Sequence, residues 1–177
     1  MKFFFLGILF LTLFTFSFSV SAYASNFVNP YPKVNYTLPY PGLLPDNPLY
    51  KLKVIRDMIV GFFISDSIQK ADYDLTLADK RTFASQMLFD TGKQSLALDT
   101  ISKAQNYYEE GVEQVILAKK QGEQVSGELN KFSESVALRE YMLSNMKEYA
   151  SFNLKARFDL ELKRAIKLES EINSLNK

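Results

Sequence analysis

The position of the prolines limits this chain to a short irregular beginning followed by uninterrupted helices. All six prolines lie between positions 30 and 48 of the 177 residues, and none follows. Proline fixes φ, lacks an amide donor and restrains the residue before it, so it is excluded from helix interiors. We therefore predict an extended, partly polyproline-like leader over residues 25–45 and a helical domain over residues 46–177.

The leader combines its prolines with tyrosines, and two interpretations of it stay open. It is either a spacer or an arm for recognition or docking whose tyrosines pack on the domain. The tyrosines in question are Tyr31, Tyr36, Tyr40 and Tyr50 at its end.

Residues 3–20 form an apolar run that contains seven of the fifteen phenylalanines and no charge. Lys2 precedes the run, and Ala22 and Ala24 follow it in the Ala-x-Ala arrangement of a secretory cleavage site. We predict a signal peptide over residues 1–24 and export to the cell envelope or the extracellular space. The alternative is an uncleaved anchor, because eighteen apolar residues are close to the length that spans a bilayer.

The domain shows apolar residues at helical spacing throughout. The first helix is predicted over about 47–63, with Asp46 as its cap and Pro48 in its first turn. The residues predicted to face inward are Leu49, Leu52, Ile55, Ile59 and Phe63.

Three further helices follow, over about 66–90, 94–119 and from about 126 onward. Ser65 or Asp66 is expected to cap the second helix, and Thr91-Gly92 to end it. In the third, the stripe from Ile101 to Ala118 has the 3, 4, 3, 4, 3 spacing of a coiled coil.

Residues 128–177 contain neither glycine nor proline, so they form either one long helix or two. The apolar stripe changes phase near residues 150–153, which favours a break there. The predicted fold class is all-α: an antiparallel bundle of four long helices plus a short first helix.

The composition lacks the usual catalytic groups. The chain has no histidine and no cysteine, no serine lies in a nucleophile motif, and no glycine loop suits a phosphate. We predict no enzyme activity, no catalytic residue, no metal and no cofactor.

Acidic residues along the second and third helices are the candidate metal ligands. Without histidine or a calcium loop, solvated helix faces are the favoured interpretation and a metal site the minor one. The residues concerned are Asp66, Asp72, Asp74, Asp79, Glu109, Glu110 and Glu113.

Two arginines fall on or near apolar stripes. Arg139 and Arg81 are each expected to lay the side-chain stem over apolar surface and keep the charged head in water, with a buried partner as the alternative. Aromatic residues at helical spacing are predicted to be core and rim, with a ligand groove as the alternative. These are Tyr73, Phe83, Tyr107, Tyr108, Tyr141, Tyr149 and Phe152.

Opposite charges balance, with 21 basic and 20 acidic residues in the whole chain. A balanced chain offers nucleic acid no basic patch and offers anionic lipid no polybasic stripe. Contact with a membrane is therefore expected only through residues 3–20, if these are retained.

The stretch "PGLLPDNPLYKLK" resembles the helix start of an exported bacterial family of domains of unknown function. The residues that carry the resemblance are Pro45, Asp46, Pro48, Tyr50 and Lys53. Ala78 and Arg81 are similar to a second signature, Ala-x-x-Arg; an acid commonly follows it in the family, where this chain has Ala84. The resemblance implies an exported, all-helical domain and implies no activity.

Three functional interpretations follow. The leading one is a non-enzymatic binding or structural module of the cell envelope, with an unknown protein partner or self-association on the Ile101 to Ala118 stripe. The alternative is a membrane-anchored sensory or signalling module that keeps residues 3–20. The third is an enzyme that uses carboxylates or a metal.

Overall fold

A computed structural model of the protein describes residues 35–176. The predicted signal peptide and leader residues 25–34 lie outside the described residues. The described part forms five helices and no strand: α1 (Tyr50–Phe62), α2 (Ser67–Asp90), α3 (Gln94–Lys120), α4 (Ser126–Tyr149) and α5 (Phe152–Leu175). The predicted all-α fold of four long helices plus a short first one is confirmed.

The long helices pair as two hairpins. The α2–α3 hairpin closes through Thr91 and Gly92, and Gly92 has a φ of 80°, which is accessible to glycine. The α4–α5 hairpin closes at Ala150 and Ser151. The predicted break near residues 150–153 is therefore confirmed. Ala150 has ψ of 150°, which ends α4 and turns the chain back along it.

The two hairpins lie side by side in register. Residues that bond between α2 and α4, or between α3 and α5, are separated by 55 to 61 positions, as in the Lys131–Asp72 and Arg164–Glu109 pairs. Contacts of constant sequence offset mean that α2 runs parallel to α4, and α3 parallel to α5. Consecutive helices are antiparallel, as predicted.

The core lies between the hairpins and is built from the predicted stripes of α2 to α5. Small residues allow α2 and α3 to approach closely: a Cβ at Gly111 would lie 3.3 Å from the carbonyl oxygen of Ala71. The Ile101 to Ala118 stripe is fully inside this core. Its predicted role as a binding face is therefore wrong, because α2 and the α4–α5 hairpin cover it.

The start of α1 differs from the prediction. The helix begins at Tyr50 after a turn over residues 45–49, in which Asn47 Oδ1 accepts a hydrogen bond from the Leu49 amide at 2.9 Å. Asp46 does not cap α1 and instead pairs with Lys93. Asp66 does cap α2, accepting from the Gln69 amide at 2.8 Å, as predicted.

The described part of the leader, residues 35–45, packs on the bundle. Tyr36 and Leu38 lie against the core, and the ring of Tyr40 meets Phe83 edge-on. Of the two interpretations of the leader, the docked arm applies to this part. Within residues 35–176, no helix is both long enough and apolar enough to cross a bilayer.

Candidate functional site: a buried ion pair and an exposed apolar helix

A buried ion pair joins the two hairpins at Arg139 of α4. The arginine side chain is completely buried, and its Nη2 lies 3.5 Å from Oδ1 of Asp79 on α2. Nε donates to Thr82 Oγ1 at 3.0 Å and Nη2 donates to Ser135 Oγ at 3.3 Å. The guanidinium also lies 4.5 Å from the centre of the Tyr108 ring, which adds a cation–π contact.

The carboxylate of Asp79 is surrounded by donors. Ser135 Oγ donates to Oδ1 at 2.6 Å, and the hydroxyl of Tyr36, from the leader, donates to Oδ2. Burial raises the pKa of Asp79, whereas Arg139 and the two hydroxyl donors favour its charged form. Burial also lowers the pKa of Arg139, and Asp79 opposes that shift. Each group therefore favours the charged form of the other and partly offsets the effect of burial.

These contacts correct two predictions. The expectation that Arg139 and Arg81 keep their charged heads in water is wrong, because both are buried. The solvated-face interpretation is wrong for Asp74 and Asp79, which are buried too, and Asp74 pairs with Lys70 at 2.5 Å. The physical reason is that each charge meets a partner on the same or a neighbouring helix, which periodicity along one helix does not reveal.

Sequence reasoning missed Ser135, and it named Tyr36 only as one of four tyrosines of the leader that could pack on the domain. Ser135 and Arg139 are four residues apart and so share one face of α4, which is a signal available in the sequence. Tyr36 carries no such signal, because its contact with Asp79 spans 43 positions and depends on how the leader docks.

Arg81 is held differently. Its guanidinium lies 4.1 Å from the centre of the Tyr107 ring, and Nη1 donates to the carbonyl oxygen of Leu77 at 3.3 Å. Among residues 35–176, Arg81 has no carboxylate partner within ion-pair distance. This agrees with the sequence comparison above, in which Ala84 occupies the position of an acid.

The second feature is the outward side of α1, which is apolar and exposed. We call it the α1 face and define it by Leu52, Ile55, Ile59, Phe62 and Phe63. Each exposes between 54% and 84% of its surface. Four of these residues, together with Leu49, were predicted to face inward, and that prediction is wrong for all five: Leu49, Leu52, Ile55, Ile59 and Phe63.

The opposite side of α1 is attached to the bundle by polar contacts and one close approach. The Tyr73 hydroxyl donates to the carbonyl oxygen of Asp57 at 2.8 Å, and a Cβ at Gly61 would lie 3.2 Å from the Tyr73 ring. Lys53 Nζ donates to the carbonyl oxygen of Pro41 at 2.9 Å. Because this side is attached to α2 and the leader, the apolar stripe has to point outward.

Other possible sites in the described residues are weak. No group of three or more acidic side chains between residues 35 and 176 is placed to hold a metal ion. A shallow pocket of about 410 Å³ lies between α2 and α4 near their carboxyl ends, and Tyr149 is on its rim. Of the aromatic residues considered as a ligand groove, Tyr108 and Phe83 are buried in the bundle and Phe152 is exposed at its end.

Glu140 gives the domain a pH dependence. Burial and the neighbouring Glu169 raise the pKa of Glu140 to about 7, from an ordinary value of 4.5. The folded state therefore binds this proton more tightly than the unfolded state, so the free energy of unfolding falls as pH rises from about 4.5 through about 7. We expect Glu140→Gln to remove this decline and to raise the melting temperature above that of wild type at pH near 8.

Melting curves by circular dichroism between pH about 5 and about 8 would measure this difference. Glu134→Gln, which changes an exposed glutamate of the same helix, is the matched control. Its melting temperature should change with pH in the same way as that of wild type. If the melting temperature of Glu140→Gln depends on pH in the same way as that of wild type, the prediction is contradicted.

The comparison with protein families decides the affiliation of the chain. The model of the family described as "Domain of unknown function (DUF5667)" matches residues 42–161, which is more than half of the chain. The chain belongs to the DUF5667 family. Comparison with curated proteins and with solved structures finds no match.

The DUF5667 match places both structural features inside the family domain. It covers α1 to α4 and the beginning of α5, and thus includes the α1 face, Asp79 and Arg139. Tyr36 precedes the matched residues. The predicted resemblance to a family of unknown function is confirmed, while the DUF5667 description itself carries neither an activity nor a compartment.

Proposed function

We propose that this DUF5667 protein is an exported, non-enzymatic binding module of the bacterial cell envelope, and that the α1 face is its binding surface. The observation that carries the proposal is the α1 face itself. Five large apolar side chains lie together on one exposed helix, and contiguous exposed patches of this kind are typical of interaction sites.

The rest of the molecule supports a binding role over catalysis. The buried carboxylates of Asp79 and Asp74 are engaged by hydroxyl groups and cations, so they are committed to structure rather than free to exchange protons with a substrate. The chain also contains no histidine and no cysteine. An enzyme that uses carboxylates is therefore the least supported of the three interpretations.

Export is supported by the sequence of the amino-terminal residues. The uncharged run 3–20 and the Ala-x-Ala arrangement at Ala22 and Ala24 are typical of a secretory signal. If the run is kept as an anchor, the same domain is displayed on the membrane, which is the sensory or signalling alternative.

Single-cysteine labelling tests the surface and the compartment together, because the natural chain has no cysteine. Phe62→Cys places a thiol on the α1 face. Phe152→Cys places one at the other end of the bundle, where Phe152 is 94% exposed and the preceding Ser151 bonds to Gln94. In intact cells, we expect a membrane-impermeant maleimide to label the Phe152→Cys variant but not the Phe62→Cys variant. Both purified variants should be labelled.

The labelling pattern separates the parts of the proposal. Equal labelling at both positions in intact cells would show that the α1 face is uncovered and would refute a binding role for it. Labelling of neither position until the cells are permeabilised would refute export.

A further inference from the structure

We infer that the α1 face docks on an anionic lipid surface. This inference rests on the proposed function, because it names the partner of the same face. It departs from the expectation drawn from net charge, since the whole chain is balanced whereas the structure groups charge locally around α1.

The arrangement of side chains around α1 is that of a helix lying in a membrane interface. Successive residues are rotated by about 100° around a helix, so the α1 face covers an arc of about 100° centred on Ile59. Lys51 borders this arc on one side and Arg56 on the other, and both are exposed. Interfacial helices combine an apolar face with basic residues beside it, whose long stems reach the headgroups.

Charge complementarity favours an anionic surface. The basic residues at the border of the α1 face are Lys51 and Arg56, whereas Lys53 is turned toward the leader. The one acid of the helix, Asp57, is buried and bonded to Arg56 at 2.7 Å. Arg56 still exposes 66% of its side chain. No exposed acid lies on α1, so the border of the α1 face attracts anions and has nothing to offer a basic partner.

A second copy of the chain fits this face less well. If two α1 faces packed together, Lys51 and Arg56 would meet the same basic residues of the other copy without an acid to pair them. A helix of thirteen residues is also only about 20 Å long. With a helix diameter of about 10–12 Å, its footprint is well below the roughly 800 Å² per partner that a stable dimer interface buries.

If residues 3–20 are kept as an anchor, the chain before the described residues holds α1 within reach of a membrane. Residues 35–45 pack on the bundle, and Pro41 is bonded to Lys53 of α1. Residues 21–34 link residue 35, where the docked part of the leader begins, to the apolar run 3–20, and fourteen residues span at most about 50 Å. Wherever residues 3–20 are held in a bilayer, its surface lies within that distance of residue 35.

A tryptophan reporter tests the inference in the full chain, because the natural sequence has no tryptophan. Phe62→Trp reports on the α1 face and Phe152→Trp on the opposite end of the bundle. The probes are vesicles of phosphatidylcholine alone and vesicles that also contain phosphatidylglycerol, with brominated acyl chains as quenchers. The reporter is local, so membrane insertion of residues 3–20 does not by itself produce a signal at position 62.

We expect the emission of Phe62→Trp to shift to the blue and to be quenched in phosphatidylglycerol vesicles, with little change at Phe152→Trp. Adding Ile59→Asp, an exposed substitution that leaves the core untouched, should abolish the shift, and adding Lys51→Gln should weaken it. Circular dichroism would confirm that each variant is folded.

Three results would overturn the inference. Emission at position 62 that stays typical of water in every vesicle means that lipid does not cover the face, and equal quenching in neutral vesicles removes the role of anionic headgroups. A blue shift without vesicles means that protein covers the face. If the shift grows with protein concentration, the cover is a second copy of the chain. If the shift is independent of concentration, the cover is the chain's own amino-terminal run. Protection of the Phe62→Cys thiol in cells together with either vesicle result, or with a shift that grows with protein concentration, would leave the proposed binding function standing and reject only the lipid. Coverage by the chain's own amino-terminal run would reject both.

Discussion

Replacing Arg139 with methionine is expected to lower the free energy of unfolding by about 3–5 kcal/mol, because it leaves the Asp79 carboxylate buried without its cation. Methionine keeps the apolar stem of the arginine but lacks the end of the guanidinium group, so the change removes the charge, its hydrogen bonds and a small part of the buried volume. Urea unfolding followed by circular dichroism measures the loss. Arg157→Met, which breaks the exposed pair with Asp99 at 3.1 Å, is the matched control and should cost less than about 1 kcal/mol.

Two further measurements identify the cause of the loss. The double variant Asp79→Asn with Arg139→Met should recover part of the stability, since asparagine still accepts from Ser135 and needs no counter-ion. In Arg139→Met alone, the pKa of Asp79 should rise further. The difference in free energy of unfolding between this variant and wild type should therefore become smaller as pH falls and the carboxyl is protonated. If Arg139→Met costs no more than Arg157→Met, the buried pair does not hold the hairpins together.

Replacing Gly111 with alanine is expected to destabilise the domain by about 1–3 kcal/mol, although alanine is the better helix former. The new Cβ would lie 2.7 Å from Cζ of Phe132, a ring that is completely buried, so α3 and α4 would have to move apart. Gly127→Ala, in the first turn of α4 with nothing within 4 Å, is the control and should be neutral or stabilising. Urea unfolding of both variants gives the comparison.

A double variant assigns this effect to one contact. Phe132→Leu removes the atom at the tip of the ring, so adding it to Gly111→Ala should cost less than the sum of the two single changes. Additive losses would mean that the clash is relieved elsewhere, and a stable Gly111→Ala would contradict the close approach of α3 to Phe132.

The sequence predicted the long helices well because apolar spacing and glycine or proline boundaries are local signals. Apolar residues of α4 from Leu129 to Met146 and of α5 from Phe158 to Ile172 recur at helical spacing, and they face the core. The break near Ala150 follows from a change of phase in the same stripe. Each of these depends on residues within a few turns of one another, so it can be read along the chain.

Apolar spacing along single helices predicted the wrong surroundings for α1 and for the charged residues. Apolar spacing shows that α1 has an apolar side, but it does not show what that side meets. In the structure, Gly61 and Asp57 lie against Tyr73, so the apolar side points outward. Likewise, periodicity put Arg139 beside an apolar stripe without showing Asp79, which is 60 residues away in the sequence.

Composition and short-range spacing were therefore sufficient for the fold class, for the boundaries of the four long helices and for the lack of histidine and cysteine side chains. Tertiary structure alone decided which polar groups are buried, which helices run parallel and which apolar face is left uncovered. Burial of the Arg139 charge depends on a partner from another helix. Exposure of the apolar face of α1 depends on which other helices supply the surfaces that fill the core. Neither partner can be identified from spacing along a single helix.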